Sequence, residues 1–245
     1  MRKISKERTE EAILKEYYHA LATKYDTMHV HQGDEHYTAL NFVMAFINIL
    51  EIKSVFEVGC GTGRGIGYLL KEKCLNIVVG ADISEDMLRV GFDKHNIPKS
   101  YLVRADAISL PFERESFDAV LAMGLLHHLK DPNRAVKEML RVAKKAIFIS
   151  DSNRFGQGRT LKKIAKVLLF KIGAWKLIDY IKTQRRGYSF SEGDGIAYSY
   201  SVFDSFPILL RTCSKVISIP TMGNGDLSTF PLLQAPHFLV CAIKR

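Results

Sequence analysis

The 245-residue chain is 47% hydrophobic and 25% charged, enough apolar content for one full core and an appendage. No run reaches the roughly twenty apolar residues of a membrane-spanning helix. Residues 1–8 lack a signal-peptide stretch, and four scattered cysteines form no C-x-x-C pair, so a cytoplasmic setting without disulfides is expected.

Apolar positions at helical spacing predict a helix over 5–24, running into Tyr25 and Asp26, and a second over 36–50. Residues 1–50 thus read as a helical lead-in. From 51 to 150 the pattern alternates: strand 55–58, helix 63–73, strand 77–81, helix 85–95, strand 102–105, strand 117–122, helix 132–143 and strand 146–150. That rhythm demands right-handed crossovers and a parallel sheet, an α/β architecture with helices on both faces. The interval 151–213 is far longer than a connecting helix needs, and such segments are usually functional. It is expected to cap the site. The last two strands are placed at 215–219 and 237–243, within a closing segment 214–245.

Charge is unevenly spread along this plan. The net charge is +9, yet residues 1–150 hold 21 basic and 20 acidic side chains, against 14 and 6 beyond. Ten basic residues and one acid, Asp179, fall between 154 and 186. A local positive field points to an anionic partner. Within it, apolar residues at 161, 164, 165, 168, 172, 175, 178 and 181 alternate with lysines, predicting an amphipathic helix, or two broken at Gly173. It reads either as a packed helix with a solvated basic face or as a peripheral membrane-surface helix over 161–181.

The chemistry-bearing stretch is Val55-Phe-Glu57-Val-Gly59-Cys-Gly61-Thr-Gly63. A β-branched run stopping at a glycine cluster is a strand feeding a tight turn, whose backbone approaches a ligand closely. Asp82 follows about twenty positions on, at the tip of the next strand, where a carboxylate suits a ribose diol. The spacing is Gly-x-Gly-x-Gly, and Glu57 would repel a pyrophosphate but suits an ammonium. The stretch resembles motif I of the class I S-adenosylmethionine-dependent methyltransferases. The runs Asp82-Ile83-Ser84-x2-Met87 and Ala105-Asp106-Ala107, then Phe117-Asp-Ala-Val-Leu-Ala-Met123-Gly124-Leu-Leu-His127-His128, continue the resemblance, which is nearest to the ubiquinone and menaquinone branch.

The resemblance implies a seven-stranded Rossmann-like sheet whose final strand inserts antiparallel. It also implies that S-adenosylmethionine binds and S-adenosylhomocysteine leaves. Cofactor contacts are then expected from Tyr25, Glu57, Gly59, Gly61, Asp82, Ile83, Met87, Asp106, Ala107 and Met123, with Asp106 accepting from the adenine amino group and Tyr25 either closing over the ligand or packing its helix. His127 and His128 stand where the family's acceptor pocket begins. Either could remove a proton from an alcohol or ammonium, or cap the strand end. No metal is expected, because Gly124 stands where a metal-dependent relative has an acid.

The acceptor is expected to be a small anionic, phosphorylated or nucleotide-linked metabolite, methylated on oxygen. Arg185 and Arg186 would grip its anion, with Tyr18, Tyr188, Tyr198 and Tyr200 around it. The alternative is a tRNA or rRNA substrate tracked by the 154–186 stretch, with Phe155, Phe170, Trp175, Tyr180 and Tyr188 available to stack bases.

Overall fold

The computed structural model describes residues 10–29, 33–222 and 231–245. Residues 5–9 of the expected first helix therefore lie outside the described residues. Three helices open the chain: α1 (Glu10–Leu21), α2 (Tyr25–His29) and α3 (Glu35–Ile49). Asp34 starts α3 as its N-cap, accepting from the Tyr37 N–H at 2.7 Å.

The core then alternates as β1 (Ser54–Val58), α4 (Arg64–Leu69), β2 (Ile77–Asp82), α5 (Glu85–His95), β3 (Leu102–Arg104), β4 (Phe117–Met123), α6 (Pro132–Val142) and β5 (Ala143–Ser152). Ser84 caps α5 and Asp131 caps α6, where Pro132 supplies a preset first turn. Helix α4 is shorter than its pattern because Lys71 and Glu72 donate three residues back, to Tyr68 and Leu69, tightening the end into turns. Two further helices, α7 (Thr160–Lys171) and α8 (Trp175–Lys182), come next, then a hairpin of β6 (Ser189–Ser191) and β7 (Gly195–Ala197). The chain closes with α9 (Phe206–Thr212), β8 (Cys213–Met222), α10 (Pro231–Gln234) and β9 (His237–Lys244).

Seven strands form one sheet in the order β3-β2-β1-β4-β5-β9-β8, parallel from β3 to β5. Strand β9 runs antiparallel to both β5 and β8, as the resemblance implies. The two-residue period of the strands divides the core. Phe56, Val120, Ala122, Ile147 and Ile149 face α6 and α9, while Val55, Ala119, Leu121 and Phe148 face α3 and α4. Both faces are buried, so the strands read as continuous apolar runs. Strand β5 continues to Ser152 because Asp151 and Ser152 pair with Phe238 and His237 of β9, and this carries Asp151 to the rim of the site. Among the described residues, no helix is long and apolar enough to cross a membrane.

Candidate active site

The glycine turn lies between β1 and α4. Gly59 and Gly63 take φ of 68° and 86°, the left-handed region that a side chain disfavours. A Cβ on Gly63 would also strike the Ile97 Cδ1 methyl. The turn aims the Gly61 N–H at Asp82 Oδ2, 2.9 Å away, while Asp82 Oδ1 accepts from the Ser84 N–H at 2.8 Å. Burial raises the Asp82 carboxyl, and the N–H groups of Ser84, Gly61 and Ile83 oppose the rise. The carboxylate keeps a lone-pair direction for a further donor, as a diol hydroxyl would supply.

Glu57 sits one residue before the end of β1 and is 3% exposed. Its Oε2 has no hydrogen-bond partner. Burial pushes the carboxyl up to about 8, against Arg64 and the Ile66 N–H, which favour the ionised form. A buried unsatisfied carboxylate oxygen is costly, and a cationic ligand group would relieve it. Arg64 stands beside it at the start of α4, with Nη1 2.5 Å from Asp34 Oδ2. An orphaned carboxylate next to a guanidinium matches a zwitterionic amino-acid group such as the methionine end of S-adenosylmethionine, so these residues fit that ligand.

The remaining expected cofactor residues lie around this turn. Met87 is buried, with Cε 3.5 Å from where a Gly61 Cβ would stand, whereas Ile83 is exposed. Asp106 lies exposed two residues past β3, its Oδ1 accepting from the Ile108 N–H at 3.0 Å, and Ala107 is buried beside it. Tyr18 and Tyr25 pack against Ala22, Met87 and Val90. Tyr18 thus lies on the cofactor side, where burial and then Asp82 raise its hydroxyl pKa well above 10.0.

A small cavity of about 40 Å³ follows Glu57, Gly59, Gly61 and Arg64, and a larger one of about 700 Å³ lies under α7, α8 and the hairpin. Tyr25, His36, Arg64 and Met123 line both and so mark the junction. His36 and Arg64 have no counterpart among the expected residues. The only local signal was the capped start of α3 at Asp34-Glu35-His36. His36 Nδ1 lies 3.1 Å from Ser150 Oγ, and its ring meets His237 edge-on at 4.8 Å. Burial, then His237 and Arg64, hold its pKa at about 3.

The two expected catalytic histidines occupy the turn after β4, with ring centroids 3.9 Å apart and opposite electrostatics. His127 Nδ1 is 2.8 Å from the buried Asp151 Oδ1. Burial alone would lower this imidazole, but the charge and hydrogen bond of Asp151, helped by Asp194, raise it to about 10. Asp151, which burial would raise, is held well below the usual carboxylate range by His127. Its Oδ2 also accepts from the Leu126 N–H at 2.8 Å, fixing the turn. His128 instead donates from Nδ1 to the Ile196 carbonyl at 2.6 Å, which leaves a lone pair on Nε2. Burial and the neighbouring His127 charge lower it to about 4. One imidazole is therefore a cationic donor and the other a neutral acceptor. Both Nε2 atoms face Asp194 Oδ1, at 3.6 and 3.7 Å.

The cap contributes more cations than acids to the larger cavity: Arg154, Lys166, Lys182 and Arg186 against Asp179 and Asp194. Tyr188, Tyr198 and Tyr200 line it as well, whereas Arg185 does not, standing exposed at a left-handed φ of 68°. Arg186 lies over the Tyr188 ring, 5.8 Å from its centroid. Arg154, the first cation of the basic 154–186 stretch, is buried among Phe155, Phe170 and Trp175 and pairs with Asp204 at 2.6 Å, which the sequence did not foretell. Asn153 is consumed structurally, holding the Leu232 and Ala235 carbonyls. Among the described residues, two trios have potential ligand atoms within 4.8 Å of one another and could hold a cation: Glu35, His36 and His237, and His127, His128 and Asp194.

Residues 56–149 match the methyltransferase domain family. The tRNA (carboxymethyluridine(34)-5-O)-methyltransferase of Arabidopsis thaliana is 34% identical over 141 residues, covering 56% of this chain and 32% of that protein. The phthiotriol/phenolphthiotriol dimycocerosates methyltransferase 1 of Mycobacterium ulcerans is 38% identical over 90 residues, 37% of this chain and 33% of that protein. These matches span about a third of either relative's own length. In overall shape the chain is similar to a SAM-dependent methyltransferase from Thermotoga maritima, with a TM-score of 0.58 at 19% identity, covering 94% of this chain and 99% of that one.

Proposed function

We propose, from a chain whose residues 56–149 match the methyltransferase domain family, that it carries a methyl group from S-adenosylmethionine to an oxygen of a small anionic acceptor held under the cap. The observation that carries this reading is the junction. The orphaned Glu57 carboxylate and Arg64 open through Tyr25, His36 and Met123 onto a cavity with an excess of cations.

When bound, S-adenosylmethionine supplies a methyl carbon whose sulfur leaves without protonation. What the chain's own residues do is bind and align. Glu57 and Arg64 anchor an amino-acid group, Asp82 takes a diol, and His127 offers a charged N–H to the anionic oxygen of the acceptor, in the place Asp194 faces. Holding a nucleophile in line at contact distance contributes on the order of 7–11 kcal/mol. An acceptor that arrives ionised needs no base, and His128, at about 4, stays neutral above that pH and serves as acceptor and wall.

The rate is therefore expected to be flat between about pH 5.5 and 8. A tenfold rise per pH unit across that window in single-turnover measurements would show instead that an alcohol is deprotonated on the enzyme.

Arginine and lysine variants distinguish a small acceptor from RNA. Losing one charge-assisted contact costs about 1.5–3 kcal/mol, so Arg186→Ala and Lys182→Ala should each raise KM for a phosphorylated acceptor about tenfold to a hundredfold. Lys162→Ala and Lys176→Ala, outside the cavity, should leave it unchanged. The tRNA enzyme among the relatives keeps RNA as the outcome to watch for: similar small losses at every lysine and a reduced salt slope would identify it. The aromatic side chains that reading needs are partly committed elsewhere, since Phe155 and Trp175 turn inward onto Arg154.

A further inference from the structure

The cap helices α7 and α8 turn a stripe of aliphatic side chains outward. On α7 and its C-cap, Leu161, Ile164, Leu168 and Ile172 form a stripe at helical spacing that points to solvent, with Leu161 83%, Leu168 56% and Ile172 74% exposed. On α8, Leu177 and Ile181 continue it, 63% and 66% exposed. No residue of either helix is fully buried. The inner face of α7 carries lysines beside Phe170, which packs on Phe155: Lys163 Nζ donates to the Leu233 carbonyl at 2.9 Å, and Lys166 Nζ to the Arg154 and Gln157 carbonyls at 2.8 and 3.0 Å. A helix that spends lysines on internal carbonyls while showing leucines to water is arranged for a surrounding other than water.

The charges around the stripe say which. Lys162, Lys171 and Lys176 are exposed beside it, and Asp179, the one acid of the two helices, is half-buried and lines the cavity. A second copy of the same face would set these lysines against one another. A nucleic acid would use the lysines but not an aliphatic stripe. Apolar residues flanked by lysines match the boundary between anionic headgroups and acyl chains.

We infer that the outer face of α7 and α8 docks on an anionic lipid bilayer, so that the cap enclosing the acceptor cavity is the part of the molecule in contact with lipid. This follows from the cap's surface and stands independently of the transfer chemistry.

The test is co-sedimentation of the full chain with phosphatidylcholine vesicles, with and without phosphatidylglycerol. The expected result is binding to the anionic vesicles that weakens with salt. Ile172→Asp and Leu168→Asp should each weaken it about tenfold or more, and Lys171→Glu or Lys176→Glu about fivefold. Calorimetry with S-adenosylhomocysteine should give the wild-type affinity for all four variants, which separates a lost docking face from a lost fold or a wrong cofactor assignment. The inference is overturned if the wild type ignores anionic vesicles, or if Ile172→Asp binds them equally. It is overturned too if the stripe mediates a concentration-dependent dimer that Ile172→Asp dissolves.

Discussion

Glu57→Gln is expected to stabilise the empty protein at pH 8 and to weaken its hold on S-adenosylmethionine. The native carboxyl titrates at about 8 in the fold against 4.5 outside it, because burial disfavours the charge. Its contribution to stability is thus fully present below pH 4.5 and is lost as pH rises through about 8. Glutamine keeps the shape and never ionises. The variant should match the wild type near pH 4.5 and exceed it by about 2–4 kcal/mol above pH 8 in chemical unfolding without ligand. Binding should move the other way. The ammonium loses a charged partner worth about 1.5–3 kcal/mol, so calorimetric affinity for S-adenosylhomocysteine should fall roughly tenfold to a hundredfold. A variant less stable than wild type at pH 8, or one with unchanged affinity, would assign Glu57 to the core rather than to the ligand.

The second large effect is expected at Asp151. Its carboxylate is 1% exposed, bonds His127 and accepts from the Leu126 and Ser152 N–H groups. Asp151→Asn keeps most of that geometry and removes the charge, leaving the buried imidazole only the more exposed Asp194, 3.6 Å from Nε2, as a counter-ion. Breaking a buried pair by one partner costs about 3–5 kcal/mol. The pH dependence follows from both partners. His127 is raised to about 10 from 6.5, so its share is complete below pH 6.5 and disappears as pH climbs through about 10. Asp151 is lowered from 3.8, so its share is complete above pH 3.8 and is lost as pH falls through its folded value. The gap between wild type and variant should therefore be widest between pH 3.8 and 6.5 and should narrow toward pH 10. Urea midpoints at pH 6, 8 and 10 would check it; a gap of constant size would mean the imidazole is uncharged. Asp151 is a positioning residue. In the variant His127 should become neutral, and turnover on an anionic acceptor should decline at pH 7 more than at pH 10.

The core was legible because its signals are local. The short β-branched and aromatic run Val55, Phe56 and Val58 marks a strand by itself, and the turn after it needs only its own glycines. The tightness around Glu57 was less visible. Gly65, the second residue of α4, lies against that carboxylate, so a side chain there would collide with its oxygens. Long-range groupings left no trace in the linear pattern. His36 comes from α3 and His237 from β9, and they meet only once β9 has inserted beside β5. Asp194 and Ile196 reach the histidine pair from the cap hairpin in the same way. On α7 the apolar period correctly located a helix but carried no information on which way it faces. The solvated-face expectation failed at Lys163 and Lys166, which turn inward.

The hairpin of β6 and β7 has a practical consequence for protein engineering. It is fastened to the turn after β4 twice, by the Tyr198 N–H on the His127 carbonyl at 2.7 Å and by His128 Nδ1 on the Ile196 carbonyl. The second clasp also fixes which nitrogen of His128 carries the proton. Swapping the cap for that of a relative to change acceptor preference would thus reset a tautomer in the part left behind. A workable graft has two separate pieces of chain, the cap and the turn at 124–129, exchanged together.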